Sequence, residues 1–326
     1  MSVAENSLDK RGFFSKINNS YHKPEIYAAI GLLGLSIILS FASEYFLTTN
    51  NIINLFRQVS LNAIIACGMT FVILTGGIDL SVGSIVAVTG TFIAGFIKSG
   101  MPIPLSILLG LAIGIGFGVV NGLIVAYTNI PAIIVTLATM SMARGTALLY
   151  SNGYPISGMP AAFKEFGRGY IGPIPNPVYV MIGVIIVAGI VLTKTSFGRH
   201  VYALGGNEET VRLSGINVKK IKMMVYVISG TLSALSGLIL CSRLGSGQPL
   251  SGDGWELDAI AAVVVGGTSI AGGRGTIIGT LIGAFVIGVL NNGLNLLNVS
   301  PYLQLVVKGI VIIGAVFVRA GFAKEK

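Results

Sequence analysis

GRHVYALGGNEETVRLSGINVKKIK, residues 198–222, is the only long, strongly charged stretch of this chain that lies between two apolar spans. It sets Arg199, Arg212, Lys219, Lys220 and Lys222 against Glu208 and Glu209. Its centre predicts a short helix. Asn207 is a favoured N-cap residue, and Glu208 and Glu209 fall in the first turn, where carboxylates meet the positive end of the helix dipole. Arg212 stands near the other end, and Gly215 suits the left-handed position that closes a helix. About seven helical residues, roughly 10 Å long, are not stable alone. The segment needs its own spans or a partner protein to pack on.

Outward from this segment the chain turns apolar in both directions. Of 326 residues 53% are hydrophobic and only 10% charged, against about 25% charged in soluble domains. The fold class is all-α, a polytopic membrane protein. Charges and prolines divide it into Ile26–Ser43, Gln58–Ile78, Leu80–Ile97, Ile103–Tyr127, Ala132–Tyr150, Val178–Thr193, Met223–Cys241, Ala259–Gly273, Thr276–Leu290 and Tyr302–Val318, which predicts about ten transmembrane helices. Ala259–Gly273 would reach only about 22 Å as a helix, against a hydrocarbon core of about 30 Å. It either spans at a tilt or enters and returns. Ser151–Pro177, with five prolines, reads as a loop outside the membrane. The organisation expected is an N-terminal segment 1–25, a membrane domain 26–319 that contains the charged loop 194–222, and a tail 320–326.

Charge distribution orients the spans. Ten crossings with a cytoplasmic N-terminus place most of the 21 Lys and Arg residues inside, the loop 194–222 among them, with Lys98, Lys164, Arg168 and Arg243 outside. Both termini are then cytoplasmic. The net charge of +9 sits between spans rather than on one soluble face, so it sets topology and does not point to nucleic acid. Residues 1–25 resemble the n-region of a signal peptide, but no small-x-small cleavage site follows, and a retained anchor is expected. Cys67 and Cys241 lie in apolar runs and read as small core residues.

Glycine spacing carries packing information. Gly110, Gly114, Gly118 and Gly122 recur every four residues, as do Gly275, Gly279 and Gly283. Such rows let helix backbones approach closely in lipid, inside a bundle or at a subunit contact. There is also an internal echo. Asn62-Ala63-Ile64 matches Asp258-Ala259-Ile260 at an offset of 196 residues (258 less 62), and Gly76-Gly77 and Gly83-Ser84 match Gly272-Gly273 and Gly279-Thr280 at the same offset. It is either a structural repeat or chance among apolar letters.

Several chemistries are excluded. Gly-Lys does not occur, so there is no Walker A loop, and the two histidines, His22 and His200, lie too far apart for a H-E-x-x-H zinc site. Ionisable groups in spans default to function. Asp79 interrupts a long apolar run and either caps the next helix, as Ser81 also could, or serves gating or a proton relay. Lys308 is close enough to a surface to snorkel, and Arg144 lies deeper and calls for a partner. Asn291, Asn295 and Asn298 share one helix face at i, i+4 and i+7. Uncharged amides there suit hydroxyl-rich substrates, or join helices to one another. Gln58 and Asn62 read the same way.

Ala203–Glu208 (ALGGNE) and Arg212–Val218 (RLSGINV) resemble the cytoplasmic coupling loop of sugar permeases of ABC importers, those of the ribose type above all. Thr75–Ser84 (TGGIDLSVGS), Glu256–Val264 (ELDAIAAVV) and Gly288–Leu297 (GVLNNGLNLL) are similar to further signatures of that family in the same order. The resemblance covers roughly residues 50–318; some relatives carry small residues where Thr210 and Val211 stand here. It implies a homodimer of ten-helix permeases in a bacterial cytoplasmic (inner) membrane. A cytoplasmic ATPase, holding ATP and Mg, would dock on Gly205, Gly206, Asn207, Glu208, Glu209, Arg212, Leu213, Ser214 and Gly215, with a sugar-binding protein on the other face. The chain would be no enzyme and hold no cofactor, and would carry ribose, with xylose, galactose or an autoinducer-2-like sugar as alternatives. From the residues themselves the rival is an ion-coupled secondary transporter, for which Asp79 is the one candidate carboxylate.

Overall fold

Long charge-free stretches become helices because only a helix satisfies its own backbone in an apolar setting. The structure, a computed structural model, describes residues 24–324. The N-terminal segment up to residue 23 and the last two residues of the tail lie outside the described residues. The apolar helices are α1 (Pro24–Ala42), α2 (Thr49–Leu74), α3 (Val82–Lys98), α4 (Ile103–Tyr127) and α5 (Ala132–Ser151). Next come α6 (Ala161–Arg168), outside the apolar set, and the apolar α7 (Asn176–Lys194). The charged loop forms α8 (Ser196–Gly206) and α9 (Glu208–Leu213). It leads into α10 (Val218–Leu244), α11 (Trp255–Val265), α12 (Ile277–Leu296) and α13 (Pro301–Lys324). Seven of these are long and apolar enough to cross a membrane: α1, α2, α4, α5, α7, α10 and α12.

Two boundaries differ from the sequence reading, for local reasons. α2 starts at Thr49 rather than Gln58 because Thr48 caps it and the Asn51 amide donates to the Phe46 carbonyl at 2.8 Å. The segment expected over Ala259–Gly273 is α11, 11 residues long, followed by irregular backbone. At about 16 Å the helix is too short to span by itself. Gly267, Gly272 and Gly273 take positive φ there, which turns the chain back toward α12. The Ser151–Pro177 loop is partly ordered. Strands β1 (Ile156–Ser157), β2 (Tyr170–Ile171), β3 (Ile174–Pro175) and β4 (Ser246–Gly247) form two short antiparallel ladders, β1 with β4 and β2 with β3. The Gly167 amide donates to Ser242 Oγ at 2.7 Å, which ties α6 to the end of α10.

α2 is the buried axis, packed by α10, α12, α7 and α11. The first glycine row does its work inside the bundle. A Cβ at Gly118 would sit 2.8 Å from the Tyr226 carbonyl and 3.0 Å from the Gly230 Cα, so α4 and α10 meet backbone to backbone. The second row joins α12 to α11, where Gly283 lies against the Ala262 carbonyl.

The internal echo agrees with the helix boundaries. Moving the starts of α3 and α4 along by 196 gives 278 and 299, against observed starts at Ile277 and Pro301. The same shift sets the break after α2 beside the break after α11. The two breaks meet in space, because the Gly273 amide donates to the Leu74 carbonyl at 2.9 Å.

Candidate functional site

The charged loop is two helices, not one. Thr195 caps α8, its Oγ1 accepting from the Gly198 amide at 3.1 Å, a signal hidden at the end of an apolar run. Asn207 then caps α9, its Oδ1 accepting from the Thr210 amide at 2.9 Å. α9 closes as predicted. Gly215 takes φ +77°, its amide donates to the Arg212 carbonyl, and the Ile216 amide donates to the Val211 carbonyl. That pair of hydrogen bonds is the Schellman closure. Glu208 pairs with Lys222 at 2.7 Å and Arg212 at 3.2 Å, and Glu209 pairs with Arg212 at 3.3 Å. Partial burial pushes the Glu208 carboxyl up, but the hydrogen bonds and charges of Lys222 and Arg212 outweigh it and hold the group below the usual carboxylate range.

This loop is fixed to the core on one side and open on the other. Val211 is buried, whereas Leu213, two residues on, is 80% exposed. Gly205 lies directly against the Leu74 carbonyl and the Gly273 amide, where a Cβ would strike backbone on both sides. Tyr202 donates its hydroxyl hydrogen to the Gly275 carbonyl at 2.8 Å. The end of α8 therefore touches both chain breaks at once. Gly206 faces open space, and Ser214 returns its hydroxyl to the Thr210 carbonyl at 2.9 Å.

Asp79 lies in the first break and is fully buried. Its Oδ1 accepts from the Ser81 amide at 3.0 Å and the Ser81 hydroxyl at 2.6 Å, and its Oδ2 accepts from the Ser229 hydroxyl at 2.7 Å. Asn121 donates to Ser81 Oγ at 2.8 Å, and Thr139 donates to Asn121 Oδ1 at 2.6 Å. Ser81 holds the N-cap position of α3 but makes no side-chain cap bond. The pair is thus not a simple cap. It is a clasp that joins the first break to α4, α5 and α10. The Tyr226 hydroxyl, packed on Gly77, is buried without a hydrogen-bond partner among the described residues.

The amide face does not stay together. Asn291 donates to Asp258 Oδ2 at 3.3 Å, whereas Asn295 accepts from Gln304 at 2.9 Å on an exposed surface. Asn298 is the left-handed residue (φ +54°) that ends α12. The neighbouring Asn292 exchanges two bonds with Asn51, at 2.8 and 3.0 Å, joining α12 to α2. Asn62 is buried and Gln58 half-buried on α2.

Lys308 does not snorkel. It binds Asp258 through both oxygens, at 2.9 and 3.0 Å, because a carboxylate stands within reach on α11. Sequence spacing gave no sign of that pair, since its partners lie 50 residues apart. Arg144 has the partners expected of it, the carbonyls of Pro249 and Ser251 at 2.8 and 2.7 Å.

Apolar helices packed through glycine, two meeting chain breaks, a buried polar clasp and a charged loop rooted on both breaks define a multi-pass membrane transport subunit. Residues 51–316 match the family described as branched-chain amino acid transport system / permease component, and the chain belongs to that family. It is 53% identical over 289 residues to the ribose import permease protein RbsC of Bacillus subtilis, covering 88% of this chain and 90% of that one. It is 50% identical over 296 residues to RbsC of Escherichia coli K12, covering 89% and 91%. It is 41% identical over 283 residues to the D-allose transport system permease protein AlsC of Escherichia coli K12, covering 86% and 87%.

Proposed function

We propose that this chain is the membrane-spanning subunit of an ATP-binding cassette importer that carries ribose across a bacterial cytoplasmic membrane. The observation that carries the reading is identity of 50% or more to ribose import permeases over nearly nine-tenths of the chain. α3, α11 and α13 complete the set of ten apolar segments, with both termini on the cytoplasmic side and a second copy completing the pathway. ATP and Mg belong to a separate ATPase. α9 is the coupling helix: Asn207, Glu208, Glu209, Arg212, Leu213 and Ser214 meet the ATPase, and Gly205, Gly206 and Gly215 shape the segment. Force on α9 passes through α8 to the two breaks that Gly205 touches, so that helices on both sides of each break tilt together. Asp79 and Ser81 hold the first break while it moves. Gln58 and Asn62 supply amides for sugar hydroxyls along the path, while Asn291, Asn295 and Asn298, which the fold disperses, shape it through Asp258, Gln304 and the end of α12.

A soluble sugar-binding protein docks on the opposite face. α10 runs from the charged loop to that face, where Arg243 lies beside Arg57, Arg168 and Lys164. None of the four forms an ion pair with a carboxylate among the described residues. Such a patch suits an acidic protein surface.

The chain reconstituted in vesicles with its ATPase and binding protein should accumulate labelled ribose only when ATP is present. Unlabelled ribose should compete better than allose. Accumulation driven by an ion gradient without ATP would reject the assignment, and better competition by allose would move the substrate.

A further inference from the structure

A groove of about 530 Å³ opens between α8 and the first turns of α10, beside the root of α9. Its floor is Phe197, Ile216, Ile221 and Met224, and its polar rim includes His200 and Lys220. Among the described residues no carboxylate lines it. The nearest acidic group on α9, Glu208, is already paired with Arg212 and Lys222.

The position along the chain says what the groove faces. Phe197 stands three residues beyond Lys194, the last residue of spanning helix α7. Met224 is among the first apolar residues of spanning helix α10, after Lys219, Lys220 and Lys222. Both walls therefore begin where an apolar span gives way to charge, the depth of lipid headgroups.

We infer that this groove binds one anionic glycerophospholipid from the leaflet on the loop's side. An acyl chain lies over Phe197, Ile216, Ile221 and Met224, and the phosphate meets Lys220 and His200. The charge match favours this occupant, since basic pockets between spanning helices at the membrane surface select anionic headgroups. The lipid would fill the space between α8 and α10 and fix the angle at which α9 is presented. The inference rests on membrane embedding alone and not on the transported substrate.

The test is native mass spectrometry of the full chain extracted from nanodiscs of phosphatidylcholine doped with phosphatidylglycerol. Phosphatidylglycerol should be retained above its share of the lipid. Lys220→Gln should weaken retention about fivefold, the worth of one basic side chain at a membrane surface. Lys220→Arg should keep it, and Lys98→Gln, far from the groove, should have no effect. Thermal unfolding of each variant separates lost binding from lost fold. Retention no greater than the lipid share, or equal in Lys220→Gln and the native chain, overturns the inference. So does a photoreactive group at position 224 that labels a copurified protein instead of lipid.

Discussion

Gly205 and Gly206 are adjacent, yet their surroundings differ completely. Gly205 abuts the Leu74 carbonyl and the Gly273 amide, and Gly206 meets nothing within 4 Å. A methyl at position 205 has no flexible side chain to displace, only backbone at the two breaks. Gly205→Ala should therefore cost about 1–3 kcal/mol of stability, the usual range for overpacking, and should abolish uptake. Gly206→Ala should leave stability intact. Thermal unfolding in detergent and sugar uptake in cells check the pair, and equal effects at the two sites would remove Gly205 from the joint between loop and core. Sequence could place both glycines in the loop but could not rank them, because the atoms that distinguish them come from residues 74 and 273. The same limit hid the Lys308–Asp258 pair and the clasp from Asp79 to Ser229.

At the scale of elements, what was legible is what is local. The starts of α4 and α5 follow from Pro102 and Pro131, and every cap of α9 is written within nine residues, Asn207 to Gly215. α8 was missed because its cap, Thr195, adjoins an apolar span and its sequence carries no acidic first turn. α11 is shorter than its sequence segment because the left-handed glycines after Val265, which nothing local announces, end the helix early. α9 itself divides its labour by face. Val211 is buried and anchors it, while Leu213 is exposed and makes little contribution to the fold of this chain. Leu213→Ala should thus leave the unfolding free energy unchanged within about 0.5 kcal/mol, as for surface substitutions generally. If Leu213 is an anchor for the ATPase, uptake should fall at least about fivefold, the equivalent of about 1 kcal/mol of lost contact. Uptake and unfolding measured on one preparation decide it; full uptake would place the ATPase contact elsewhere on the loop.

Across the whole molecule the charges of α9 and those around Arg243 are disposed differently. On α9, cations and carboxylates neutralise each other around Glu208, which leaves shape and Leu213 to recognise a partner. On the other face Arg168 spends its donors on the carbonyls of Arg243 and Leu244, at 2.7 and 2.9 Å, and Arg57 donates to the Arg168 carbonyl at 2.9 Å. These bonds fix the guanidinium groups in place without cancelling their charge. A rigid, unneutralised patch raises the encounter rate with an acidic surface, and the gain is screened by salt. The apparent affinity for the loaded sugar-binding protein should therefore fall roughly tenfold when ionic strength rises from about 0.01 M to 0.15 M. Lys164→Glu should produce a similar loss at low salt and flatten the salt dependence, while ATP hydrolysis without binding protein stays unchanged. Uptake kinetics at several salt concentrations measure this directly. An affinity that does not respond to salt would mean that the binding protein sits away from the patch.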